Sequence, residues 1–185
     1  ISAARPTAVN LMWATARMES LAKRLVAEGA APGEVADSLF DEVLRIERED
    51  EKVNRAIGAA GAALVPEHAR ILTHCNAGSL ATVFSARARR RVCRRRAGQV
   101  ERVFADETRP VGQGARLTSW ELSRAGVPVT VICDNMAASL MVREWSISSS
   151  SELIEHRERR RRQQDRYLWV AVLAHHHSIP FYVAA

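Results

Sequence analysis

Lysine is nearly missing from this chain: only two of its 27 basic residues are lysine, and 25 are arginine. Arginine in such excess points to a GC-rich gene, because its CGN codons are GC-rich. Cysteine is scarce and odd in number. Cys75, Cys93 and Cys133 form no CxxC pair, which fits free thiols in a reducing cytoplasm better than a disulfide framework or a zinc site. No apolar run approaches the length of a membrane span, and no signal peptide opens the chain. Aromatics are 5% of the residues, and none interleaves with the arginine runs, which argues against a stacking surface for nucleic acid. The chain opens on Ile1 and stops directly after a strand-like run, so it reads as a fragment truncated at both ends.

What is there is ordinary globular material. The 185 residues are 47% apolar, enough for one domain with a substantial core or for part of a larger one. A net charge of +6 would suggest a nucleic-acid or membrane-surface partner. The charge is confined to two blocks, however. Residues 87–96 carry +7 and residues 157–166 carry +4, leaving the remainder at −5.

Residues 7–29 predict an amphipathic helix, with Leu11, Met12, Met18, Leu21 and Leu25 at helical spacing and Gly29 and Pro32 at its end. Residues 33–58 predict a second, with Val35, Leu39, Val43, Ile46 and Val53 on one stripe. The period then changes. ARILTHCN (69–76), RVFADET (102–108), PVTVICDN (128–135) and IPFYVAA (179–185) read as short strands, and GARLTSWELSRAG (114–126) reads as a helix closed by Gly126. This alternation predicts an α/β fold: a helical N-terminal part, residues 1–66, followed by a Rossmann-like parallel sheet with flanking helices, residues 67–185. In such sheets the site lies beyond the carboxyl ends of the strands, where THCN, DETRP and CDN fall.

Each strand end carries candidates. Cys75 sits between a strand and an expected helix start, where backbone N–H groups stabilise a thiolate or an anion; the alternative is a structural thiol. The loop DETRPVGQGAR (106–116) gathers acids, arginines, a glutamine and glycines, a composition suited to an anionic or polyhydroxylated ligand, or simply a solvated turn. Asp134 is a candidate acid or a helix cap, and taken alone reads best as the cap. Arg5 precedes Pro6 at a helix start, a weak signal alone. His175, His176 and His177 are contiguous, poor geometry for one metal, and read as a helix end and turn.

Taken in order, ARPTAVNLMWA, ILTHCNAGSLAT, VFADETRPVGQGARLTSWEL, VTVICDNMAASLM and LAHHHSIPFYVAA resemble the methylthioribose-1-phosphate isomerase family of methionine salvage. The resemblance implies an aldose–ketose isomerase that converts 5-methylthioribose 1-phosphate to 5-methylthioribulose 1-phosphate without metal or cofactor, as a cytoplasmic homodimer. By motif match, Cys75 is the family's catalytic cysteine, and Arg5 and Gln113 fall at substrate-binding positions. Ribose-1,5-bisphosphate isomerases and the non-catalytic regulatory subunits of a guanine-nucleotide-exchange initiation factor share the fold and are the alternatives.

The pattern breaks twice. The family's catalytic Asp lies in a Gly-Ala-Asp-Arg motif after CDNMAA, followed by an Asn-Lys pair that binds substrate. This chain has WSISSSSELIEHRERRRRQQDRYLW instead. Codons compatible with that segment, read in shifted frames, spell Val-Asp-Leu-Val-Ile-Val-Gly-Ala-Asp-Arg and then Ile-Ala-Asn-Gly-Asp-Val-Ala-Asn-Lys-Ile-Gly-Thr-Tyr. RRRVCRRR likewise permits Val-Gly-Val-Cys-Ala-Ala-Ala. Residues 84–97 and 145–169 therefore read as out-of-frame translation of an isomerase gene. The chain as written is expected to lack a central strand, to bury arginines at a cost of several kcal/mol each, to fold poorly and to be inactive.

Overall fold

The computed structural model describes residues 9–76, 78, 82, 100–143, 147–152 and 165–184. Arg5 and the block 84–97 lie outside the described residues, as do 145–146 and 153–164 of the segment that departs from the family pattern.

Helix α1 spans Val9–Ala27 and α2 spans Pro32–Leu64. The break between them is local chemistry. Gly29, at φ 81°, takes the left-handed conformation that closes a helix, and the Ala30 N–H donates to the Leu25 carbonyl at 3.1 Å. Pro32 opens α2, where its missing N–H costs nothing, while the Glu34 carboxylate accepts the Ala31 N–H at 2.9 Å. The second helix runs past the expected residue 58 because AIGAAGAAL is rich in alanine, whose helix propensity outweighs the two glycines. It stops at Leu64 because Pro66 holds Val65 in extended backbone. Arg17 ties the two helices together through the buried Glu42 and the exposed Glu49.

Among the described residues, five strands then form one parallel sheet: β1 (Ala69–Thr73), β2 (Val100–Asp106), β3 (Val129–Ile132), β4 (Ile147–Glu152) and β5 (Phe181–Ala184). Their order is β3-β2-β1-β4-β5, the doubly wound arrangement whose order reverses between β1 and β4. Between β2 and β3 lie a π-helical turn, Gly114–Thr118, and helix α3, Ser119–Ala125, closed by Gly126 at φ 77°. Helix α4 (Ala137–Val142) follows β3, and α5 (Asp165–His176) precedes β5. The histidine run falls as expected at the end of a helix and the turn beyond it. One core cluster joins Leu72, Phe104 and Ile132 of three strands to Ala137, Leu140 and Met141 of α4 and Val170 and Ala174 of α5. Residues 103–106 are buried in succession, the signature of a strand covered on both faces.

The expected loss of a strand is corrected. Residues 147–152, ISSSSE, run as β4 in the interior of the sheet, pairing with β1 at Arg70, Ile71 and Leu72 and with β5 over four residues. Backbone pairing is indifferent to side chain, and two apolar neighbouring strands leave a slot whose N–H and C=O groups need partners. The serines occupy it in spite of weak strand propensity.

Candidate active site at the carboxyl edge of the sheet

Three strands deliver chemistry to one edge. Strand β1 ends at Thr73, and His74 and Cys75 follow. Strand β2 ends on Asp106, with Thr108 two residues beyond, and β3 leads through Cys133 to Asp134. His74 is buried, and its Nδ1 lies 3.0 Å from Oδ2 of Asp106, which is fully inaccessible to solvent. The other oxygen of that carboxylate, Oδ1, has no hydrogen-bond partner among the described residues. Burial pushes the Asp106 carboxyl above its ordinary pKa. The hydrogen bond and charge of His74 pull the other way, and the nearby Asp134 adds to the rise. The His74 imidazole and the Trp169 ring of α5 form a T-shaped pair, 5.8 Å between centroids.

Two non-glycine residues at this edge adopt left-handed backbone: Cys75 at φ 68° and Thr108 at φ 60°. Such conformations cost roughly 1–3 kcal/mol each and persist only where the surroundings hold them. At Cys75 the holding groups are hydroxyls. The Cys75 N–H donates to Thr108 Oγ1 at 2.8 Å, and the Cys75 carbonyl accepts from Thr118 Oγ1 at 2.6 Å. Asn76 Nδ2 donates to the same Thr118 hydroxyl at 3.0 Å. Thr108 in turn donates its hydroxyl to the Asp106 carbonyl at 3.1 Å.

Asp134 is not the helix cap its sequence context suggested. The short turn it opens has no side-chain cap. Its two carboxylate oxygens instead accept the N–H groups of Thr108 and Arg109, both at 2.8 Å. One aspartate from β3 thus fixes the loop that leaves β2. The donor atoms of His74, Asp106 and Asp134 all lie within 4.8 Å of one another. Those of Asp134 are already committed to backbone amides, and His74 Nδ1 to Asp106, so the cluster's visible work is to hold loops.

Gln113 sits half-buried at the start of the π-helical turn, immediately before Gly114. A side chain at Gly114 would put Cβ 1.7 Å from the Asp106 carbonyl oxygen, so only glycine lets this turn settle on the end of β2. Cys75 is half-buried with a free thiol. The structure brings Cys75 and the 106–118 loop to the same sheet edge. The helix start expected after Cys75 falls mostly outside the described residues, and so does Arg5. Sequence reasoning missed the His74–Asp106 pair, the two threonine hydroxyls and the double acceptor Asp134. Their signals were present, since each lies inside THCN, DET, GARLT or CDN. Which polar residue reaches which across strands is a tertiary fact.

Residues 1–148 match the model of the initiation factor 2 subunit family. The chain belongs to that family. Among its relatives, the methylthioribose-1-phosphate isomerase of Syntrophotalea carbinolica is 45% identical over all of this chain and 54% of its own length. The 5-deoxyribose 1-phosphate isomerase of Moorella thermoacetica is 44% identical over all of this chain and 53% of its own. The chain spans about half the length of the curated relatives it matches. In solved structures, 5-methylthioribose 1-phosphate isomerase from Pyrococcus horikoshii superposes with a TM-score of 0.77 at 36% identity, covering 97% of this chain and 50% of that one. The delta subunit of translation initiation factor eIF-2B from A. fulgidus gives 0.75 at 35% identity, covering 100% and 53%. Among the described residues, no helix is long and apolar enough to cross a membrane.

Proposed function

We propose that this chain represents an aldose–ketose isomerase acting on a pentose 1-phosphate, with 5-methylthioribose 1-phosphate as substrate and 5-methylthioribulose 1-phosphate as product. In this reading residues 1–66 are a helical part and 67–185 the catalytic part of a cytoplasmic homodimer. The observation that carries it is Cys75, held in left-handed backbone at the carboxyl edge of the sheet within a THCNAG motif. The relatives named as isomerases agree on a five-carbon sugar phosphorylated at C1 and differ at C5, so the shared part of the substrate is the sugar 1-phosphate.

The chemistry suits such a site. Phosphorylation of the anomeric oxygen prevents simple hemiacetal opening, so ring opening needs a positioned acid. Isomerisation then moves hydrogen from C2 to C1, which needs a group within reach of both carbons in a water-poor pocket. Cys75 is the candidate for that group. Arg5 and Gln113 are the candidates for substrate binding. The family's Asp and its Asn-Lys pair have no counterpart in residues 145–169 as written, so the literal chain is expected to turn over little or no substrate.

The test is a comparison by proton NMR of 5-methylthioribose 1-phosphate incubated with two chains. One is the sequence as written. The other carries the Gly-Ala-Asp-Arg and Asn-Lys segments in place of 145–169, inside a chain extended to the length of the relatives. Ketose signals only from the second support the reading. Absence of conversion by the second, with the fold intact, would sink it. The likeness to the initiation-factor subunit supports a non-catalytic alternative, which that same absence would favour.

A further inference from the structure

We propose that Thr118 and Thr108 are positioning residues for Cys75, two hydroxyls that clamp both sides of its peptide and so set the direction of its thiol. The proposal rests on the isomerase reading only for what Cys75 is used for.

The argument is one of hydroxyl polarity. A threonine hydroxyl has a single hydrogen to donate and two lone pairs. At Thr118 the Asn76 Nδ2 group can only donate, its Oδ1 being the atom that accepts the Gly78 N–H, so it occupies a lone pair and the hydroxyl hydrogen is left to point at the Cys75 carbonyl. At Thr108 the Cys75 N–H is the donor, so the hydroxyl hydrogen goes to the Asp106 carbonyl. Both hydroxyls are therefore oriented by a second partner before they meet Cys75. Their anchors are independent: Thr118 is the last residue of the π-helical turn seated on β2 by Gly114, whereas Thr108 has its own N–H fixed on Asp134. Thr108 and Thr118 are both buried, so water is poorly placed to substitute for either hydroxyl. A left-handed cysteine held at its N–H and at its C=O cannot rotate either neighbouring peptide without breaking one of these bonds.

The test reads the thiol directly. Native protein is alkylated with iodoacetamide, and the modified peptides are quantified by mass. Cys133, exposed at the end of β3, serves as internal reference. Thr118→Val keeps the shape and removes the hydroxyl, Thr118→Ser keeps the hydroxyl, and Thr108→Val removes the other half of the clamp. Each valine variant is expected to raise the Cys75/Cys133 rate ratio about threefold or more, the scale set by losing one neutral hydrogen bond. Thr118→Ser is expected to stay near the parent ratio. An unchanged or lower ratio in the valine variants, or a serine variant that behaves like valine, overturns the proposal. Should one valine variant lose its fold, judged by circular dichroism, the other decides. No turnover is required, so a failed isomerase assay leaves this result standing, and a failed clamp leaves the isomerase reading to its own assay.

Discussion

Gly114→Ala is a sharp test of how the site is built. The added Cβ would lie 1.7 Å from the Asp106 carbonyl oxygen, 2.9 Å from its carbon and 3.1 Å from Thr108 Oγ1. A comfortable carbon–oxygen approach is about 3.3 Å, so the turn or the end of β2 must move by roughly 1.5 Å. Both are backbone in a buried setting, with no flexible side chain to yield. The bonds in the path are the Thr108 hydroxyl to the Asp106 carbonyl at 3.1 Å, Ala115 N–H to the Glu107 carbonyl at 3.3 Å and Glu107 N–H to the Ile132 carbonyl at 2.9 Å. Overpacking of this kind costs about 1–3 kcal/mol, and losing one or two of those bonds adds about 0.5–1.5 kcal/mol each. The expected loss is about 2–5 kcal/mol, a large share of a typical ~5–15 kcal/mol stability. Urea unfolding followed by circular dichroism measures it. Gly58→Ala is the control, because a Cβ there meets nothing within 4 Å, and a helix-interior alanine should stabilise by about 0.5–1 kcal/mol. A loss below about 1 kcal/mol for Gly114→Ala would refute the close-approach reasoning.

Asp106→Asn tests the buried carboxyl. Its folded pKa is raised, chiefly by burial, so the native state holds its proton more tightly than the unfolded chain, and stability falls as pH rises from the ordinary carboxyl range through the raised value. The Asn variant lacks that term, so its urea midpoint relative to the parent should climb with pH across that window; a constant or declining difference would refute the sign. For β4, amide hydrogen exchange across 147–152 should be protected to an extent comparable with β1, since both lie inside the sheet. Exchange at loop rates there would refute the placement.

Much of the fold was legible because its signals are local. The stripe Val35, Leu39, Val43, Ile46 fixes a helix face by spacing alone, and Gly29 and Gly126 mark helix ends by a backbone conformation other residues resist. The strand ends carrying THCN, DET and CDN follow from apolar runs that break into polar residues. Asp134 shows the limit. Its local context offers a cap, and a cap is what sequence reasoning assigns. The amides of Thr108 and Arg109 are brought to it by β2–β3 pairing, and they win because two backbone donors at 2.8 Å satisfy the carboxylate better than one.

β4 shows the opposite limit, where the side chains mislead. ISSSSE has one β-branched residue, and its propensity argues against a strand. The sheet's demand is set by the neighbours: β1 and β5 each present a row of amides and carbonyls that must be paired or hydrated, and any chain of the right length between them can supply the pairing. Position in the sheet can therefore survive a change of sequence that destroys what the strand should deliver at its end. The sequence resemblance leads one to expect a catalytic Asp after this strand, and here β4 ends on Glu152. A chain without that expected Asp can thus keep the sheet order intact. On the proposed reading, fold and activity separate at this point: the backbone scaffold that presents the candidate Cys75 depends on β1, β2 and the 106–118 loop, whereas a second catalytic group would depend on the residues that follow β4.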